Sequence, residues 1–193
     1  MLPLDRPPNA ELVARAQAGE QDAWDAIVRS YEGLVWSVVR SFRLTDAEAG
    51  DVTQTVWLRM VEHLGSIRDP NAIGGWLATT ARRECIALFK KSGRSVATDP
   101  VTLDEPDDRI EAPGASLLRE ERTRAVWQAM HELSDKCFQL LRILLADPPP
   151  TYIDVSAALE MPIGSIGPTR QRCLENLRAL LERRGITGEF AAS

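Results

Sequence analysis

Apolar residues recur at helical spacing along most of the chain, and no stretch shows the strict alternation of a half-buried strand. Glu11 to Ala18 reads as a short helix ended by Gly19. From Asp22, the positions Trp24, Ile27, Tyr31, Leu34, Val38 and Phe42 mark one face of a long amphipathic helix. Thr45 with Glu48 forms a capping-box pattern, opening a third helix over Asp46 to Leu64 with Val52, Val56, Met60, Val61 and Leu64 inward. Gly65 to Gly75 is rich in turn formers and reads as a loop, and a fourth helix covers about Trp76 to Lys91. Four helices without strands predict a helical bundle over residues 10–93.

Periodicity then lapses. Residues 94–115 carry three prolines and six acids against two bases, which reads as a flexible acidic linker between two domains. Helical spacing resumes at Ser116, with Leu117, Leu118, Val126, Met130 and Leu133 on one face. Ser134 can cap the next helix, whose core is expected from Phe138, Leu140, Leu141, Ile143, Leu144 and Leu145.

Pro148, Pro149 and Pro150 forbid helix, and Thr151 caps a short one with Ile153, Val155 and Leu159 inward. After a turn at Glu160 to Ile163, Ser165 is the expected N-cap of a second helix, which places Pro168 in its first turn. Asp147 to Arg184 is therefore a helix-turn-helix. Its second helix carries Thr169, Arg170 and Arg172 near the end that such motifs present to base edges. At the turn position where this motif commonly has glycine stands Glu160, and a left-handed backbone there implies strain of about 1 kcal/mol.

Composition sharpens the picture in two places. The formal charge of −5 is unusual for a nucleic-acid binder, but residues 1–93 carry 11 bases and 12 acids and residues 116–193 carry 10 of each, so the linker holds most of the excess acidity. At the end of the first unit and the start of the linker Arg82, Arg83, Lys90, Lys91 and Arg94 cluster against Glu84 alone, and local clusters set phosphate attraction over a Debye length. Cys85, Cys137 and Cys173 are odd in number and show neither CxxC nor Cys/His spacing, so neither a disulfide nor a metal site is expected. His63 and His131 are isolated, no nucleophile–base spacing or glycine-rich phosphate loop occurs, and no enzymatic activity or cofactor is expected. No apolar run has the length of a membrane span or the form of a signal peptide, which points to a cytoplasmic protein without membrane insertion. The proline-rich residues 1–9 and the tail 185–193 are expected to lie outside the folded units.

Three stretches, DAEAGDVTQTVWLRMVEHL at 46–64, GGWLATTARRECIALFKKSGR at 74–94 and the helix-turn-helix, together resemble bacterial sigma factors of the extracytoplasmic-function group of the sigma-70 family. The resemblance implies an all-α chain of two small helical domains: a sigma-2-like bundle (10–93) and a sigma-4-like helix-turn-helix domain (116–184). It implies docking on the clamp helices of the polymerase largest subunit through Asp51, Gln54, Thr55 and Leu58, with the second domain on the β-subunit flap. The resemblance places Asn71, Arg82, Arg83, Lys90 and Lys91 in the minus-ten reader, Arg82, Lys90 and Lys91 matching family basic positions, and Ser165, Thr169, Arg170 and Arg172 in the minus-thirty-five reader, Arg172 matching a family arginine. Core RNA polymerase, promoter DNA and an anti-sigma factor are the implied partners. The chain departs from the family pattern at Thr55, Arg83, Ala87 and Gly167 to Thr169. The plainer readings are a solvated helix face at 51–58, a core role for Trp76, surface arginines on the last helix and a solvated tether at 94–115. The competing functions are a stand-alone helix-turn-helix regulator and a sigma-like interaction module.

Overall fold

The computed structural model describes residues 9–93 and 116–186, with side chains in the second segment from Thr123 onward. Eight α-helices are present among them: α1 (Asn9–Gln17), α2 (Gln21–Arg40), α3 (Asp46–His63), α4 (Ile73–Ser92), α5 (Ser116–His131), α6 (Asp135–Leu144), α7 (Tyr152–Leu159) and α8 (Ile163–Arg183). Two short 3-10 turns, Leu64–Ser66 and Pro70–Ala72, join α3 to α4. The segments read as N-terminal, linker and most of the C-terminal tail lie outside the described residues.

The helix ends follow from their local chemistry. Thr45 accepts from the Glu48 amide while the Glu48 carboxylate accepts from the Thr45 amide, so two donors that the helix itself leaves free are satisfied. Thr151 and Asp154 make the same reciprocal box at the start of α7, and Ser134 caps α6. Gly93, at φ 68°, closes α4 in the left-handed conformation that glycine adopts without strain.

The helices α1 to α4 surround a core in which Val35, Val38, Val39, Val56, Met60, Ile73 and Leu77 are fully buried. In the second half α6 packs on α7 and α8 around Leu140, Ile143, Ile166 and Leu181. The two halves, all helical as expected, also touch one another. Helix α4 lies against α7, α2 lies against α6, and a single apolar core runs through both.

Several expected positions are corrected. Val61, Leu145 and Ile153, assigned inward, are exposed at 60%, 61% and 63%. Around α3 the buried Ala49, Val52, Val56 and Met60 lie on the face opposite Val61; in α7 Asp154, Val155 and Ala158 turn inward instead of Ile153. Helix α4 begins three residues earlier than Trp76, so Gly74 and Gly75 are helical and not part of a loop. Helix α8 begins at Ile163 with Pro162 as cap, and Ser165 lies inside it. Pro168 therefore falls beyond the first turn, where it removes the bond to the Gly164 carbonyl. Cys137 and Cys173 form a disulfide joining α6 to α8, contrary to the spacing argument. The cysteines are 36 residues apart in sequence, but the packing of two helices sets their Cα–Cα distance at 5.3 Å.

Candidate nucleic-acid interface

Three surfaces hold the candidate residues. On α3, Asp51, Gln54, Leu58 and Val61 follow one another at i, i+3, i+7 and i+10, which stacks them as one exposed stripe. Leu58 is 57% exposed, so the stripe has a polar upper end and an apolar lower end. Thr55 is only half exposed, and its hydroxyl donates to the Asp51 carbonyl at 2.9 Å. It is therefore turned toward its own helix. Val61 is a stripe residue that the sequence reading placed inside.

On α4 and its preceding turn, Asn71 is exposed and its backbone N–H donates to the Asp69 carboxylate at 2.9 Å, which fixes the turn. Arg83, Lys90 and Lys91 are exposed, the two lysines in the last turn, where cations are favoured by the helix dipole as well as by any phosphate. Trp76 is half-buried against the core with its ring 5.9 Å from that of His63, in agreement with a packing role. Arg82 is engaged across the halves: its Nη1 donates to Glu160 Oε1 at 2.8 Å. Cys85, on the buried face of this helix, is fully buried, and burial pushes its thiol up to about 12. It therefore remains protonated at neutral pH.

On α8 the buried Ile166, Thr169, Cys173 and Leu180 define the inner face. At 100° per residue the opposite face carries Gly164, Pro168, Gln171 and Glu175, flanked by Arg172. Thr169 is 7% exposed and its hydroxyl accepts from Arg172 Nη2 at 3.4 Å. It is thus unavailable to a base, and it braces the arginine. Ser165 spends its hydroxyl on the Pro162 carbonyl at 2.7 Å. Arg170 is exposed but lies to the side of the outward face. Gln171, absent from the sequence-based candidates, is central on it; its amide donates to Glu175 Oε1 at 3.1 Å. The signal was available in the spacing, because Gln171 falls between Ile166, Thr169 and Cys173 and opposite all three.

The turn between α7 and α8 is left-handed at Glu160, φ 50° and ψ 44°, at the position where such motifs commonly have glycine. Among the described residues no cluster of His, Cys, Asp and Glu could hold a metal, and no helix is long and apolar enough to cross a membrane.

With this geometry in view, residues 27–95 match the model of sigma-70 region 2, a span covering α3 and α4. The RNA polymerase sigma-H factor of Pseudomonas aeruginosa is 25% identical over 171 residues, covering 84% of this chain and 88% of that protein. The ECF RNA polymerase sigma-E factor of Escherichia coli is 23% identical over 163 residues, covering 80% of this chain and 84% of that one. The fold is similar to that of the sigma factor RpoE of Bartonella quintana, solved in complex with the anti-sigma factor NepR. That match has a TM-score of 0.56 at 18% identity and covers 82% of this chain and 96% of that one. The chain thus carries a match to sigma-70 region 2 over residues 27–95 and is similar over most of its length to RNA polymerase sigma factors, among them one of the extracytoplasmic-function group.

Proposed function

We propose that the chain binds core RNA polymerase and directs promoter-specific initiation. The observation that carries this reading is the exposed stripe Asp51, Gln54, Leu58 and Val61 on a helix of the matched sigma region, in a chain that also ends in a helix-turn-helix. The stripe docks on the clamp helices of the polymerase largest subunit, with apolar contact from Leu58 and Val61 and orientation from Asp51 and Gln54. The second half meets the β-subunit flap.

Arg83, Lys90 and Lys91 hold the backbone of the opened strand near the minus-ten element, and Asn71 lies at the entrance to an extruded base. Helix α8 reads the minus-thirty-five element. Arg172, steadied by Thr169, is suited to guanine or phosphate, and Gln171 to adenine, a bidentate contact of either kind being worth about 1–3 kcal/mol in discrimination. The task is binding and strand capture; sigma factors are not enzymes, and no cofactor is needed. The protein acts in the cytoplasm, and an anti-sigma factor is its proposed regulator, as NepR is a partner of the Bartonella protein.

Co-migration with core polymerase and run-off transcription test this reading. Leu58→Asp, which places a charge on the apolar end of the stripe, is expected to weaken core association at least tenfold while leaving the helical fold intact. Arg172→Gln should reduce transcription unequally among promoters that differ in the minus-thirty-five element. A uniform loss assigns Arg172 to phosphate, and tight specific duplex binding without polymerase association overturns the reading in favour of a stand-alone regulator.

A further inference from the structure

The two cysteines that meet in the second half sit at unlike positions. Cys137 lies in the first turn of α6, its backbone N–H donating to Ser134 Oγ at 3.4 Å, and it is 8% exposed. The positive end of the helix dipole favours negative charge on a sulfur placed there. Cys173 lies in the middle of α8 and is 1% exposed. Their Cα atoms are 5.3 Å apart, so the two sulfurs face one another whichever form they take. Cys85, buried on α4, has no cysteine partner.

Helix α8 is built unevenly around this pair. Its first six residues include Gly164, Gly167 and Pro168, and glycine and proline are the weakest helix formers. No packing demands the two glycines, because a Cβ on either meets nothing within 4 Å. Pro168 leaves the Gly164 carbonyl without its helical donor. Gln171, Arg172 and Cys173 follow directly. The DNA-reading end therefore has little helical strength of its own, and it is held by the buried Ile166 and Thr169 and by the sulfur bridge. The other side of that bridge is firm, since α6 buries Cys137, Phe138, Leu140, Leu141 and Ile143. Successive helical residues point 100° apart, so holding Cys173 also holds the directions of Gln171 and Arg172.

We propose that Cys137 and Cys173 form a reversible redox site, with hydrogen peroxide as oxidant and a dithiol as reductant, whose state sets the order of the reading end of α8. In the cytoplasm proposed for this chain a disulfide is made and broken rather than permanent. The Cys137 sulfur, giving up its proton, attacks one peroxide oxygen; an S–O bond forms as the O–O bond breaks, and the departing hydroxide takes the proton as water. The Cys173 sulfur, giving up its own proton, then attacks the Cys137 sulfur; the S–S bond forms as the S–O bond breaks, and a second water leaves. The thiols lose two electrons and the peroxide gains them. A dithiol reverses the change by exchange and is itself left as a disulfide. The consequence for transcription rests on the sigma reading.

The test compares the full chain after hydrogen peroxide with the same chain after dithiothreitol, each reagent being removed before measurement. Alkylation of the unfolded chain, read by mass, is expected to find one thiol after peroxide and all three cysteines as thiols after dithiothreitol. Amides of residues 163–172 are expected to exchange about tenfold faster in the reduced form, with α3 unchanged. With core polymerase on genomic promoter fragments, the reduced form is expected to give about tenfold less transcript, as loss of one bidentate base contact would. Cys137→Ser/Cys173→Ser should behave as the reduced chain after either treatment, and Cys137→Ala/Cys173→Ala replaces it if circular dichroism shows lost helix; Cys85→Ala should respond as wild type. Three thiols after peroxide overturn the redox site, as does equal exchange in the two forms or a double variant that still responds. Unequal exchange, with neither form binding polymerase or giving transcripts, upholds the redox site and removes the sigma reading. Equal exchange with equal transcription does the reverse.

Discussion

Replacing Glu160 separates backbone strain from charge pairing at the helix-turn-helix turn. A non-glycine residue in the left-handed region costs about 1–2 kcal/mol, and Glu160 sits there at φ 50° and ψ 44°. Its carboxylate recovers part of this through Arg82 at 2.8 Å, but with side chains 25% and 65% exposed the pair is worth about 0.2–1 kcal/mol. Glu160→Ala keeps the strain and removes the pair, so it should destabilise by up to about 1 kcal/mol. Glu160→Gly removes both; its greater freedom in the unfolded chain costs about 0.4–1 kcal/mol, leaving glycine more stable than alanine by roughly 0.5–1 kcal/mol. In ordinary helix or turn positions the order is the opposite. Urea unfolding of the three proteins gives the comparison, and at about 2–4 °C per kcal/mol for a chain of this size a thermal scan resolves it as well. In an Arg82→Gln background the difference between glutamate and alanine should vanish. Alanine more stable than glycine by about 1 kcal/mol would refute the left-handed assignment, and a glutamate–alanine difference that survives Arg82→Gln would refute the pair.

Pro168→Ala restores an amide donor to the Gly164 carbonyl inside α8 and should stabilise the chain by about 2 kcal/mol, seen as a Tm several degrees higher; a lower Tm would contradict the helix start at Ile163. The Cys137–Cys173 disulfide closes a loop with a sequence separation of 36, for which chain entropy gives a stabilisation of up to roughly 4 kcal/mol; dithiothreitol should remove it from wild type and have no effect on Cys137→Ala/Cys173→Ala. Without reductant one thiol should titrate, and only after unfolding, because Cys85 is buried with its thiol pushed up to about 12; three thiols would contradict this. Burial, then Arg43, Arg142 and Arg40, hold the His131 imidazole below its ordinary range, with Asp135 facing Arg43 from the same side. The unfolded chain then takes up a proton that the folded one resists, so this contribution to stability is complete above about pH 6.5 and declines as pH falls below it. Denaturation between pH 5.5 and 7.5 should show that decline, flattened in His131→Gln; an unchanged slope would contradict it.

The helices were legible because their signals are local. The Thr45/Glu48 box, the Ser134 cap and the 3.6-residue apolar rhythm act within one or two turns and need no partner. What the sequence did not reveal depends on residues distant in the chain. Val61 and Ile153 are apolar at plausible core positions, and only the drift of the buried face around each helix turns them outward. Cys137 meets Cys173 because α6 packs on α8, which spacing cannot express. Thr169 reads as a polar residue of a recognition helix until Ile166 and Cys173 place it on the inner face, and Gln171 on the outer. Glu160 stood out in the sequence at the motif's usual glycine position, but Arg82 as its partner, 78 residues away, did not.

Transcription by the reconstituted enzyme tests the proposed function most directly. Core RNA polymerase, incubated with and without the purified chain on a library of genomic promoter fragments, should give transcripts with discrete starts only when the chain is present, and Leu58→Asp should abolish them together with core association. Transcription unchanged by the chain, with no complex formed between it and core polymerase, would contradict the account.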